Sequence, residues 1–214
     1  MSLMLYAAMG AATVPPASDP AFDPSAFVFT IRIDNDGDSF TWPGRSGTYD
    51  ATFNWGDGSS DHVTAAPSAH VYASAGDYDV TVTGACPAPH FAGRDDRSKI
   101  IDVKQWGSLV GANDWGAAFS GCNNMAVTAT DPFGSGVTKT AQMFYSASSA
   151  NPFASNWDMS GVTKENMQAM FALATVFDQD LSGWCVSHID SEPQGFALAS
   201  GLQPQHYPVW GTCP

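Results

Sequence analysis

Met170-Phe171-Ala172-Leu173-Ala174-Thr175-Val176-Phe177-Asp178-Gln179-Asp180-Leu181-Ser182-Gly183-Trp184-Cys185-Val186-Ser187 has weaker copies elsewhere in the same chain. Met143-Phe144 precedes Met170-Phe171, and Ser135-Gly136-Val137-Thr138-Lys139 is echoed by Ser160-Gly161-Val162-Thr163-Lys164. Phe119, Phe144, Phe171 and Phe196 recur at intervals of 25, 27 and 25 residues, and Trp157, Trp184 and Trp210 at 27 and 26. A fixed period of this size means stacked supersecondary units that share one core between neighbours. Such chains present surfaces more readily than they enclose a reaction pocket.

Within each unit, Ala154–Ser160 and Leu181–Ser187 are expected as short strands centred on Trp157 and Trp184. Residues 163–174 place Met167, Met170, Phe171 and Ala174 at i, i+3, i+4 and i+7, which predicts a helical turn with an apolar face. After Trp184 the pattern changes: Glu192-Pro193, Gln203-Pro204 and Tyr207-Pro208 mark a terminal cap. Phe119, Phe144, Phe171, Trp157, Trp184 and Trp210 sit on the fixed register, so they read as core rather than as a stacking platform for sugars. Tyr145 and Tyr207 are the better candidates for ligand contact.

Working toward the N-terminus, Ile100–Gly107 is expected as the first strand of the repeat array, and residues 87–99 as a connecting loop. Before it lie alternating strand patterns. Phe27, Phe29, Ile31 and Ile33 share one face, as do Tyr49, Ala51, Phe53 and Trp55. Ser39–Pro43, His70–Tyr72 and Tyr78–Thr83 supply further strands. Gly56-Asp57-Gly58 forms a tight turn in which the glycines accept positive φ and Asp57 bonds nearby amides.

Three blocks in this region carry a resemblance: Asn54-Trp55-Gly56-Asp57-Gly58-Ser59, then His70-Val71-Tyr72, then Ala75-Gly76-Asp77-Tyr78-Asp79-Val80-Thr81-Val82. Their order resembles a PKD-type immunoglobulin-like domain. The resemblance implies a β-sandwich with Trp55 and Tyr78 in its core, Asp57 bracing the turn, and a non-catalytic spacer or adhesive role. The second half resembles the BspA-like leucine-rich repeats on the residues quoted above. The expected fold is therefore mainly β with short helices: a docking arm at 1–24, a PKD-like sandwich at 25–86, a connector at 87–99, and a short leucine-rich-repeat solenoid with its cap at 100–214.

Composition narrows the function. Net charge is −13 with eight Lys plus Arg, which disfavours nucleic acid and anionic membranes as partners. No apolar stretch is long enough to span a membrane. Cys86, Cys122, Cys185 and Cys213 include no C-x-x-C pair, so zinc is not indicated. An even count suits an oxidising setting, with buried reduced thiols as the alternative. Cys185–Cys213, near equivalent places in adjacent units, is one candidate disulfide, and Cys86–Cys122, across the junction, is another. Asp34, Asp36 and Asp38 do not follow the calcium-loop template, since Arg45 stands where it needs Glu, so a solvated turn is expected and no cofactor is assigned. No H-E-x-x-H or G-x-S-x-G is present, and no enzyme is expected.

Met1–Val14 is apolar but lacks Lys and Arg and is broken by Gly10, so it reads as an arm more than as a secretion signal. Proteins resembling this pairing occur among bacteriophage virion proteins and on bacterial surfaces. The expectation is a multi-copy or homo-oligomeric virion surface protein, a capsid decoration, fibre or tail appendage. It would be held to other virion proteins by residues 1–24 and turned toward a host glycan or protein. A secreted bacterial adhesin is the alternative, and a carbohydrate-binding module the third reading.

Overall fold

Residues 23–214 are described in the computed structural model. The arm read at 1–24 lies outside them except for Asp23 and Pro24. Eight strands form: β1 (Phe27–Ile33), β2 (Ser39–Phe40), β3 (Asp50–Asn54), β4 (Ser60–Val63), β5 (His70–Val71), β6 (Gly76–Ala85), β7 (Ile100–Gln105) and β8 (Ala126–Val127). Among the described residues the helical content is 3-10 turns alone, at Asp95–Ser98, Glu165–Met167 and Pro204–His206. The described residues are mainly β, as expected, and among them nothing is longer than a single helical turn.

The alternation seen in the sequence sets the sandwich. Phe27, Phe29, Ile31 and Ile33 are all buried, as are Tyr49, Ala51, Phe53 and Trp55. One sheet runs β4-β3-β6-β1-β7-β8, and β2 pairs with β5 in a second. Aromatic side chains meet between them: Phe29 lies 5.9 Å from Phe40, and Trp42 stands edge-on to Phe53 at 5.3 Å. Tyr78 is only half-buried and leans on Tyr72 at 4.4 Å, so Tyr72 holds the inner place expected for Tyr78. β4, with exposed Ser60, Asp61 and His62, has no apolar alternation to announce it.

β7 joins this sheet rather than opening a separate array. It pairs antiparallel with β1 and parallel with β8, so strands on both sides of the connector lie in one sheet. Gln105 donates its side-chain amide to the carbonyls of Asp23 and Ala26, both at 2.7 Å. Asp131 accepts from the backbone amides of Trp106 and Gly107 at 2.9–3.0 Å. Gly107 has φ +58°, and a Cβ there would fall 2.2 Å from the Ala26 carbonyl oxygen, so glycine is required.

Beyond β7 the chain winds as stacked turns. In each, alternate amides cross to the next coil: Ala117, Phe119 and Gly121 donate to Ala141, Met143 and Tyr145; Gln142, Phe144 and Ser146 to Gln168, Met170 and Ala172; Ala169, Phe171 and Leu173 to Gln194, Phe196 and Leu198. The intervening amides bond back three residues, as Met143 to Thr140 and Tyr145 to Gln142 do. The helical turn expected within 163–174 is limited to the 3-10 turn Glu165–Met167. Met167, Met170, Phe171 and Ala174 are all buried, but amides spent on the neighbouring coil are lost to the i→i−4 ladder. The strands expected at Ala154–Ser160 and Leu181–Ser187 are also absent, because their cross-coil bonds, Asp158 to Phe133, Leu181 to His206 and Val186 to Thr212, do not form a ladder.

Two aromatic columns run through the stack. Phe119–Phe144 and Phe144–Phe171 stack at 5.6 and 5.7 Å, and Phe196 turns perpendicular at 5.5 Å. Phe91, from the connector, extends this column to the sandwich: it stacks on Phe119 at 6.3 Å, lies 6.2 Å from Phe40, and donates its amide to Ala118. The second column begins before Trp157, with Trp106 and Phe133 each 4.8 Å from the next member. Trp184 is buried, its indole N–H donating to the Ala154 carbonyl at 2.7 Å. Trp210 is only partly buried, packed against the edge of the core.

The sandwich and the coils therefore share one core. Phe91→Ala should cost about 3–5 kcal/mol, and its effect should appear in one cooperative transition. Far-UV dichroism and tryptophan fluorescence should follow coincident urea curves; two separated transitions would show that the halves fold independently.

Candidate interaction surfaces

The G-D-G turn is built around Asp57. One carboxylate oxygen accepts from the Ser59 amide at 2.9 Å and the Ser59 hydroxyl at 2.6 Å, and the other meets His70 Nε2 at 2.9 Å. Gly56 and Gly58 take φ of +82° and +93°, as the turn requires. His70 stacks on Trp55 at 4.7 Å, and the buried Tyr72 hydroxyl donates to the Trp55 carbonyl at 3.0 Å. Burial would raise the Asp57 pKa, but the bonds from Ser59 and His70 outweigh it and hold it at about 2. The carboxylate stands between serine and histidine and braces the turn by accepting from both sides.

At the C-terminal end, Cys185 and Cys213 are joined in a disulfide across 28 residues, fastening the last segment to the coil before it. Val186 donates to the Thr212 carbonyl at the same place. The other candidate pair, Cys86–Cys122, is not joined: both are free thiols buried in the core. Burial pushes the Cys86 thiol up to about 12 and raises Cys122 as well, so neither is a ready thiolate.

Of the two tyrosines expected to meet a ligand, Tyr145 is exposed, whereas Tyr207 is half-buried against Phe196 at 6.3 Å. They are not brought together, since the coil of Phe171 lies between theirs. The six residues assigned to the repeat core do not form an open platform: five are buried and Trp210 is half-covered. In the Asp34–Asp38 turn, Asp38 bonds Asn35, and Asp36 accepts the Ala75 amide at 2.8 Å. Among the described residues, no three His, Cys, Asp or Glu side chains are grouped to hold a metal ion.

Sequence reasoning did not single out a cavity at the junction of the two halves, about 510 Å³ in volume. Arg45, Ser46 and Thr48, from the loop before β3, face Val110, Asn113 and Asp114 from the start of the coils. Arg45 lies 3.7 Å from Asp114, which is also 3.5 Å from Lys139.

Two family profiles match this chain. The PKD domain matches residues 11–91, and the family described as Mycoplasma protein of unknown function, DUF285, matches residues 113–211. Together they support the order of a PKD-like unit followed by BspA-like repeats, and they point to a surface or adhesin-like protein. Comparison with curated proteins and comparison with solved structures each gave no match.

Because the folded pKa of Asp57 lies below the ordinary 3.8, its stabilisation is complete above that value and is lost as pH falls toward about 2. After discounting for solvent screening, Asp57→Ala should cost about 1 kcal/mol at neutral pH. In urea titrations the gap between variant and parent should shrink by more than half at pH ~2. An unchanged gap would remove the turn-bracing role. Reduction of Cys185–Cys213, or Cys185→Ser, should cost about 2–4 kcal/mol, read as a fall in Tm that the Cys86→Ala variant in oxidising buffer does not reproduce through the same reductant dependence.

Proposed function

We propose that this chain is a non-enzymatic display protein on an extracellular surface, with the sandwich and coils acting as one stiff body. The observation that carries the reading is the burial of the aromatic columns: the residues with the greatest capacity for stacking on a ligand are spent on holding neighbouring coils together. The disulfide at the C-terminal end supports an oxidising location.

The finer reading is a bacteriophage virion, where the chain decorates a capsid, forms part of a fibre or sits on a tail, in several copies. Residues 1–24 bind other virion proteins, and the coils face outward. Their Ala- and Pro-rich composition motivates the anchoring role. A secreted adhesin on a bacterial cell is the competing placement, and the same disulfide suits it equally.

Deleting residues 2–22 tests the anchor while keeping the Asp23 and Ala26 carbonyls that Gln105 holds. The Tm should not change, and association with purified particles should be lost. Retained association would overturn the anchoring role. Immunogold labelling of particles and of whole cells separates the two placements, and labelling of neither would overturn surface display.

A further inference from the structure

The junction cavity has a chemistry that the display role does not use. Ser46, Thr48 and Asn113 line it with exposed side-chain hydroxyls and an exposed amide. Val110 is 66% exposed, although its backbone is fixed on both sides by bonds to Gly84 and Cys86. An apolar side chain is thus held on a fixed backbone beside exposed polar groups. Sites of this size with an apolar wall and a few placed polar groups suit small organic ligands, and junctions between units are a common place for them.

Charge narrows the ligand. Arg45 and Lys139 flank the single carboxylate of Asp114, a local excess of one positive charge in a chain of net −13. Arg45 also donates to the Gly116 carbonyl, while its Nε is buried without a partner. Burial pulls its pKa down and Asp114 offsets only part of that, so the guanidinium is under-compensated by its present neighbours. A planar guanidinium of this kind favours a carboxylate.

We infer that this cavity binds an acidic saccharide, with Arg45 and Lys139 drawing its carboxylate, Ser46, Thr48 and Asn113 bonding its hydroxyls, and Val110 packing against its C–H face. The inference rests on the display reading, to which it adds the class of surface glycan contacted. Its failure is separable, because anchoring is judged by particle association and not by this cavity.

The test is calorimetric titration of the full chain with a glucuronic-acid-containing disaccharide and with uncharged cellobiose. The acidic sugar should bind at least about tenfold more tightly, and its affinity should fall several-fold between about 0.02 and about 0.5 M salt. Thr48→Ala and Asn113→Ala, at exposed positions, should each weaken binding about threefold or more at unchanged Tm. Arg45→Lys should weaken it further by replacing the planar fork with a point charge. Absence of binding by the parent chain, equal binding of cellobiose, or full affinity in Thr48→Ala and Asn113→Ala would each overturn the inference.

Discussion

The stacking of Phe91 on Phe119 is the contact on which the rest of the structure depends. Turns that spend half their amides on the next coil need a neighbour on both sides, and the first coil has no earlier copy. Phe91 supplies the missing ring, its amide bonds to Ala118, and its other side reaches Phe40 in the sandwich. Trp106 does the same for the second column: its ring lies 6.5 Å from Phe27 on one side and 4.8 Å from Phe133 on the other. The sandwich is thereby the N-terminal cap of the stack. An uncovered apolar end is what a repeat array cannot tolerate, and a β-domain with an aromatic edge is one physical solution.

The coil backbone carries a cost that this packing must offset. Ala117, Gln142, Ser146, Ala169, Leu173 and Ala199 have φ between 52° and 62°, the left-handed region where a side chain costs roughly 1–2 kcal/mol. The first five lie two residues before or after Phe119, Phe144 or Phe171, and Gly121 also has a positive φ, two residues after Phe119. In the last coil Gly195 and Ala199 fall one and three residues from Phe196, so the pattern has slipped by one. That slip accompanies the change from parallel stacking to a perpendicular ring at Phe196. The Phe column and its cross-coil bonds hold the strained turns in place; the strain is distributed along the array rather than gathered at one site.

This explains how much was legible beforehand. The sandwich strands could be read because alternation of side chains is a direct image of a pleated sheet, and β1 was found at its full length. The identity of the ladder residues could be read from their spacing. The backbone that carries them could not, since a turn with alternating cross-coil bonds buries i, i+3, i+4 and i+7 much as a helix does. Phe91, Trp106 and Phe133 were missed for another reason. Phe91 lies 28 residues before Phe119, and Trp106 lies 27 before Phe133, so their spacing fits, but their flanking residues belong to a connector and a strand. The junction cavity left no signal at all, because it is assembled from a loop of one half and the first coil of the other.

The distribution of charge follows from the same architecture. Of the eight Lys and Arg, six lie within ion-pair distance of a carboxylate. Asp114–Lys139 and Lys164–Asp190 join successive coils, while Arg32–Asp77 and Lys104–Asp79 join neighbouring strands. Exposed pairs of this type contribute about 0–1 kcal/mol each, so they fix register more than they supply stability. Their larger effect is on the outer field. With most cations already facing a carboxylate, the remaining Asp and Glu dominate the surface, and copies of the chain repel one another at short range. A body that keeps like-charged neighbours apart leaves its sides open to solvent, and the Arg45–Asp114–Lys139 group, where two cations face one carboxylate, is a place to which an anionic ligand is drawn.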